Sequence, residues 1–503
     1  YSSAASDVYK RQVLVCYFAA PRKLKNAVLF VFSLIFYGWG EPRYIVLMIV
    51  SIVSGFIFAL MIEKKQNKKS GLILMWISVA ISLSFLLVFK YADFLIENVN
   101  QLPGVSLPLF KLSLPIGISF YTFQIISYTV DVWRGDTKAQ RNIISFGTYV
   151  SLFPQLIAGP IVRYTDIERE LQERKHSVTL AASGIQRFLI GLSKKVLIAN
   201  VLGELTDICL KTSQPSILSW WMYATALVLQ IYFDFSGYSD MAIGLGRIFG
   251  FQFPENFNYP LISRSVKEFW RRWHITLGAW FKDYIFYPIS LGTHFQKFSQ
   301  NCRKHMNRYY AATIPGIFAL FAVWFGNGIW HGAEWKYIIY GLYYYVIMVL
   351  GMLLEPAFVS FCSKLNIDRN ASWYHTMQVV RTFILVNIGM LIFRSKDIKT
   401  AITMLGSVFQ PWHGKSNFWQ LAFNRGGLFK LDFLLIAFSV ILLYFIGKKQ
   451  ENGHSIRELI LAQPLPIRWA IYIIPIVLII IAGAYGPGWG LSLIHISEPT
   501  RPY

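Results

Sequence analysis

The sequence predicts an all-α polytopic membrane protein, and three observations carry that expectation. Of 503 residues, 55% are hydrophobic and 17% aromatic, and only 15% are charged, well short of the charged share of a soluble globular chain. Apolar runs of spanning length recur along most of the sequence. The formal charge of +22 falls in short basic clusters between those runs, as in the cytoplasmic loops of a membrane protein, so a nucleic-acid partner is not expected. Cys16, Cys209, Cys302 and Cys362 are scattered without metal-ligand or redox spacing, which leaves neither a disulfide framework nor a metal site in prospect.

Residues 1–12 (YSSAASDVYKRQ) and 490–503 change composition abruptly and share no pattern with their neighbours. They resemble translated adapter sequence and are set apart as non-native scars, which leaves 13–489 as a single membrane domain. Within it, 13–20 reads as the remnant of a first span, followed by spans at 27–38 and 43–62 around the turn Gly40-Glu41-Pro42. The basic segments 21–25 (PRKLK) and 64–69 (KKQNKK) are both assigned to the cytoplasm, and the two spans between them make that consistent. A span at 71–89 leads to the weakly charged outer segment 92–108, and one at 114–132 returns to the cytoplasmic segment 133–141.

Residues 146–161 (FGTYVSLFPQLIAGPI) form a shorter run broken by Pro154, Gly159 and Pro160. Broken backbone is tolerated at membrane depth only where protein or a water-filled cavity covers its freed polar groups, so this segment is expected to be re-entrant or buried. A mixed-charge cytoplasmic helix at 163–175 precedes spans at 185–202 and 218–235. Over 265–284, Val266, Phe269, Trp270, Trp273, Leu277, Trp280, Phe281 and Tyr284 repeat at helical spacing, with Lys267, Arg271, His274 and Lys282 opposite. Tryptophans facing basic residues describe one helix lying in the membrane interface. A basic cluster at 296–308, the apolar run into 321–335, and spans at 337–354, 379–393, 433–446 and 467–484 complete a bundle of about ten to twelve spans.

No P-loop, dinucleotide fingerprint, GxSxG elbow or HExxH occurs. The chemistry therefore rests on ionisable groups within apolar surroundings. Residues 321–335 (FAVWFGNGIWHGAEW) place His331 among Gly326, Gly328 and Gly332. An ionisable ring in such a run is costly to bury and is a functional candidate, while small neighbours let a ligand or a second backbone approach. Asn327 lies four residues before His331 and Glu334 three after; on a helix either could hold one ring nitrogen while the other works. The competing reading is a structural histidine bonded to a neighbouring helix. Asp234 and Asp240 could form a proton relay, or pair with Arg247, Arg264, Arg271 or Arg272. His274, beside Lys267 and Arg271, could equally be a solvated residue of the polar face.

Four segments carry a resemblance: FPQLIAGPIVRY (153–164), YFDFSGYSDMAIGLGRIFGFQFPENFNYP (232–260), SRSVKEFWRRWHITLGAWFKDYIFYP (263–288) and NGIWHGAEW (327–335). Together they resemble the membrane-bound O-acyltransferase family, in its bacterial branch of alginate O-acetylation and teichoic-acid D-alanylation proteins. The resemblance runs in order from about residue 30 to 489. The segment 392–405 (IFRSKDIKTAITML) and a two-span tail are similar to the polysaccharide O-acetylating members. It implies a bundle with re-entrant and in-plane helices in the bacterial cytoplasmic membrane. It also implies transfer of an acyl group, acetyl foremost, from a cytoplasmic thioester to a surface or exported polysaccharide. Acetyl-CoA or an acyl carrier protein would be a co-substrate, with no tightly bound cofactor and no metal. A periplasmic or membrane-anchored relay protein and a cytoplasmic carrier protein are the implied partners. The resemblance implies that His331, in the WHG motif, is the catalytic residue and that His274, in the RRWH motif, is the second; Asn327, Glu334, Asp234, Arg271 and Trp330 are the supporting candidates. Teichoic-acid D-alanylation, a proton-coupled transporter and a pure assembly scaffold are the competing readings. The lack of an internal repeat disfavours the transporter.

Overall fold

The computed structural model describes residues 2–157, 159–211, 217–407 and 430–484. These residues are helical apart from loops and one antiparallel bridge between Phe257 and Trp273. The C-terminal stretch set apart at 490–503 lies outside the described residues, whereas residues 2–12 open the first helix, Ser2–Ala19 (α1). Six helices among the described residues are long and apolar enough to cross a membrane: Ile45–Lys64 (α3), Lys69–Val99 (α4), Arg308–His331 (α16), Trp335–Lys364 (α17), Ser372–Arg394 (α18) and Leu465–Ala482. Lys25–Gly40 (α2) and Ile118–Arg134 (α5), with 16 and 17 residues, sit at the short end of spanning length. The chain is a multi-pass membrane protein. Its contacts divide it into two units, Tyr1–Ile185 with Ala242–Pro254, and Gln186–Met241 with Glu255–Ile496.

In the first unit α5 is the central element. Nearly all of its residues are buried, polar ones included, so it behaves as a helix enclosed on every side. Two of its hydroxyls return to its own backbone, with Ser127 donating to the Gln124 carbonyl and Thr129 to that of Ile125. Gln124 donates instead to the carbonyl of Val162. The broken run splits into Ile143–Ser151 (α6) and Phe153–Leu156 (α7) at Leu152. Its freed groups are covered by protein, as the membrane setting demands. The Phe153 N–H donates to Ser33, and the Gln155 side chain donates to the Tyr149 carbonyl. The helix α4 continues ten residues past the expected end at 89, and Asp93 on it accepts from the N–H groups of Phe110 and Lys111, tying down the loop that follows.

The second unit is built around the hairpin of α16 and α17. A Cβ on Gly341 would lie 2.3 Å from the Trp324 carbonyl oxygen, and one on Gly328 would lie 2.6 Å from that of Tyr337. The two backbones therefore touch where they cross, a closeness that small residues permit. Outward-facing residues of α17 such as Leu350, Leu354 and Phe358 are about half exposed and form surface suited to acyl chains. After Tyr164–Gln172 (α8) of the first unit, Val178–Ser193 (α9) runs through a π-helical segment, Lys194–Ala199, into Asn200–Lys211 (α10), and Ile217–Ile248 (α11) follows; Tyr287–Ser290 (α14) and Thr293–His305 (α15) later lead into α16.

The segment 265–284 departs from the single amphipathic helix expected. It is Val266–Arg272 (α12) and Ile275–Phe281 (α13), separated by extended Trp273 and by His274 in the left-handed region at φ +46°. The loop 254–259 causes the break by taking over hydrogen bonds that a continuous helix would make internally. Asn258 N–H donates to the Arg272 carbonyl and Ile275 N–H to the Asn256 carbonyl, both at 2.9 Å. The aromatic face is otherwise as expected, with Val266, Phe269, Trp273, Leu277, Trp280 and Phe281 buried and Lys267, Arg271 and Lys282 exposed. His274 is the exception: the break turns it from the polar face into the interior, where it is 4% exposed.

Candidate functional site

His331 is the last residue of α16. Its half-buried ring is bordered by three aromatic residues, from the ends of three helices. Trp330 lies at 4.7 Å between ring centroids, Phe393 of α18 at 5.0 Å and Tyr340 of α17 at 5.5 Å, each meeting the imidazole edge to face. Phe393 also packs on Tyr340 and Tyr337, and Tyr340 on Tyr344, so the walls are braced by aromatic contacts. Gly332, extended at φ 178°, ends the helix directly after the histidine.

That ending settles the two proposed orienting groups differently. Asn327 stays on α16, one turn before His331, buried, with an Oδ1 that accepts from nothing among the described residues. Glu334 lies beyond the helix as the residue capping α17, and its carboxylate pairs with Lys336 at 3.0 Å. The expectation that Glu334 shares a helical face with His331 is thereby corrected, because the backbone leaves the helix at Gly332.

His274 reaches the same neighbourhood from the α12–α13 break. Its ring lies 6.1 Å from Trp330 and 4.7 Å from Phe235, edge to face with the latter. Trp330 thus has both histidines as ring neighbours. His274 Nδ1 is 2.9 Å from Asn256 Oδ1, while Nε2 is buried and has no partner among the described residues. Burial alone pulls its pKa from 6.5 down to about 3, so the ring is neutral at physiological pH. The solvated alternative for His274 is overturned by this geometry.

The acids resolve as ion pairs. Asp234, fully buried, pairs with Lys195, and Asp240 binds both Arg187 and Lys194, with Glu255 also on Arg187. The partners come from α9 and the π segment, not from Arg247, Arg264, Arg271 or Arg272, because those helices lie against α11. Arg271 itself is exposed on α12 and stands outside the histidine cluster. No group of three or more His, Cys, Asp or Glu that could hold a metal ion occurs among the described residues. Sequence reasoning missed Asn256, Tyr340 and Phe393. Asn256 lies within the stretch 232–260 without a pattern of its own, and nothing in the spacing of the two aromatics pointed at His331.

In chemical terms the site offers two imidazoles near one indole, one of them held neutral with a bare nitrogen, in surroundings that exclude much water. This arrangement suits proton transfer at an apolar reaction centre.

The profile of the membrane-bound O-acyltransferase family matches residues 137–301. A probable alginate O-acetylase AlgI of Pseudomonas aeruginosa is 37% identical over 443 residues, covering 86% of this chain and 78% of the relative. A peptidoglycan O-acetyltransferase of Helicobacter pylori is 30% identical over 401 residues, 74% of this chain and 71% of the relative. A teichoic acid D-alanyltransferase of Bacillus subtilis is 30% identical over 285 residues, 56% and 69% respectively.

Proposed function

Because this chain belongs to the membrane-bound O-acyltransferase family, we propose that it passes an acetyl group from a cytoplasmic thioester, through the bacterial cytoplasmic membrane, to hydroxyls of a surface or exported polysaccharide. In the reaction His331 takes the proton of the attacking hydroxyl as its oxygen bonds to the thioester carbonyl carbon. The tetrahedral adduct then collapses, the C–S bond breaks, and the thiolate leaves with that proton. The Asn327 amide, one turn away, is the donor for the developing oxyanion. His274 is the second base, also a ring neighbour of Trp330. The observation that carries this reading is the placement of two histidines, from segments about 57 positions apart, against one tryptophan.

Acetyl-CoA or an acyl carrier protein serves as donor, and a membrane-anchored or periplasmic protein relays the group to the polymer. Residues 13–489 act as one membrane domain. Acetyl is favoured over D-alanyl because the similarity to the alginate relative covers 86% of this chain, against 56% for the teichoic-acid relative.

The test is mass spectrometry of surface polysaccharide from cells carrying His331→Ala. Normal amounts of the variant in the membrane with O-acetyl groups absent is the expected result. Undiminished O-acetylation would remove His331 from the mechanism. Rescue of a D-alanylation-deficient strain, but not an acetylation-deficient one, would reassign the donor.

A further inference from the structure

We propose that Asn256 is the positioning residue that holds His274 in a single tautomer, with the proton on Nδ1 and a bare lone pair on Nε2. The use of that lone pair in acyl transfer rests on the function proposed above; the tautomer does not.

The direction of each hydrogen bond follows from what can only donate. Asn256 Oδ1 faces the Thr276 N–H at 3.4 Å, the Thr276 hydroxyl at 2.9 Å and His274 Nδ1 at 2.9 Å. A backbone N–H never accepts, so the amide atom turned toward it is the oxygen. The amide nitrogen is then the one that donates to Ser239 Oγ at 3.1 Å. An oxygen cannot donate to Nδ1, so Nδ1–H must donate to it. In a neutral imidazole this leaves Nε2 without a proton.

Two further observations separate this from a merely structural histidine. A structural histidine in a core has both nitrogens satisfied, whereas Nε2 here is buried and meets no donor among the described residues. The backbone of His274 also sits in the left-handed region, unusual for a residue with a side chain, and the Asn256 carbonyl holds the following N–H. One residue thus fixes both the backbone and the ring.

No charged neighbour competes for control of the ring. On α11, Asp234 is committed to Lys195 and Asp240 to Arg187 and Lys194; in the loop, Glu255 is committed to Arg187. On α12, Arg272 pairs with Glu268 and Glu451, while Lys267 and Arg271 are exposed. From α16 the approaching ring is Trp330, which is also a ring neighbour of His331.

The experiment is 15N solid-state NMR of the full chain, histidine-labelled and reconstituted in liposomes. The His274 signals are identified as those missing from His274→Asn. In the wild type, one protonated Nδ1 and one bare Nε2 are expected, unchanged from neutral to mildly acidic pH. Asn256→Leu should move the proton to Nε2 or give a mixture of tautomers. Asn256→Asp keeps the acceptor and adds a charge, so a second proton should appear on the ring at a pH where the wild type stays neutral. Thr276→Val, which leaves the Asn256 oxygen in place, should change nothing at His274. An Nε2–H tautomer in the wild type overturns the proposal outright, even if the Asn256 variants fail to fold. So do unchanged His274 signals in both Asn256→Leu and Asn256→Asp. In a transfer assay on the same liposomes, Asn256→Asp should shift the acid limb of the pH profile toward neutral. If no transfer is seen even in the wild type, the functional reading fails while the spectra still decide the tautomer.

Discussion

Gly341→Ala tests the argument that the α16–α17 crossing sets the position of His331. The added methyl would lie 2.3 Å from the Trp324 carbonyl oxygen and 3.2 Å from both backbone atoms of Gly328 nearest it. Ordinary contact begins near 3.4 Å, so the helices must separate by roughly 1 Å, and the obstacle is backbone that no rotamer change can relieve. Overpacking of this kind costs about 1–3 kcal/mol of stability. Trp324 lies two turns before His331 on the same helix, so the displacement carries to the imidazole. A misplacement of about 1 Å can lower the rate about 100-fold. The assay is acetyl transfer in membranes together with a thermal melt of the purified protein in detergent. Gly316→Ala and Gly351→Ala are the controls, on the same two helices at positions where a Cβ meets nothing within 4 Å. Both should be neutral or slightly stabilising, since alanine favours helix over glycine by about 1 kcal/mol. Wild-type transfer by Gly341→Ala, or equal loss in the controls, would refute the link between the crossing and the site.

Three other substitutions have definite outcomes. Lys195→Met removes the cation paired with the buried Asp234 carboxylate and should lower the melting temperature, by up to about 3–5 kcal/mol of stability; adding Asp234→Leu should recover much of it. Glu334→Gln should leave transfer rates close to wild type, because its carboxylate faces Lys336 in a part-exposed pair worth about 1 kcal/mol or less, and a tenfold loss would show that it reaches His331. His274→Asn keeps a residue tolerant of the left-handed backbone but removes the lone pair, so transfer should fall with folding intact. Burial lowers the His274 pKa from 6.5 to about 3, so the unfolded chain binds the proton first, and wild-type stability should decline as pH falls below 6.5 and level off near 3. Melts from pH 7 to 4 should be flatter for His274→Asn, by about 1.4 kcal/mol per pH unit.

The helices of the bundle were legible in the sequence because long apolar runs have few alternatives in a bilayer. The ends at Lys64 and Lys69, the hairpin after His331 and the burial of the broken segment near Pro154 all follow from runs and breakers. Helix lengths were less legible: α11 runs on to Ile248, past the expected end at 235, and carries Asp240 against Arg187 and Lys194 as well as Asp234 against Lys195. The break at His274 was illegible for a different reason. Residues 265–284 have an unbroken helical period, and the loop that interrupts it is joined by hydrogen bonds from Asn256 and Asn258 that no local pattern announces. Glu334 misled because the spacing of three residues has meaning only while a helix continues, and Gly332 stops it. His331 was singled out by its apolar surroundings, but its walls at Tyr340 and Phe393 come from two other helices and belong to tertiary packing.

The ion pair between Lys195 and Asp234 also constrains biosynthesis. Lys195 is synthesised first, on the π-helical segment, and Asp234 follows only after the chain has turned back into α11. A buried charge that lacks its partner is costly, so neither segment reaches its final burial before the other is present. The two are therefore expected to dock in one step, which fixes an order of assembly.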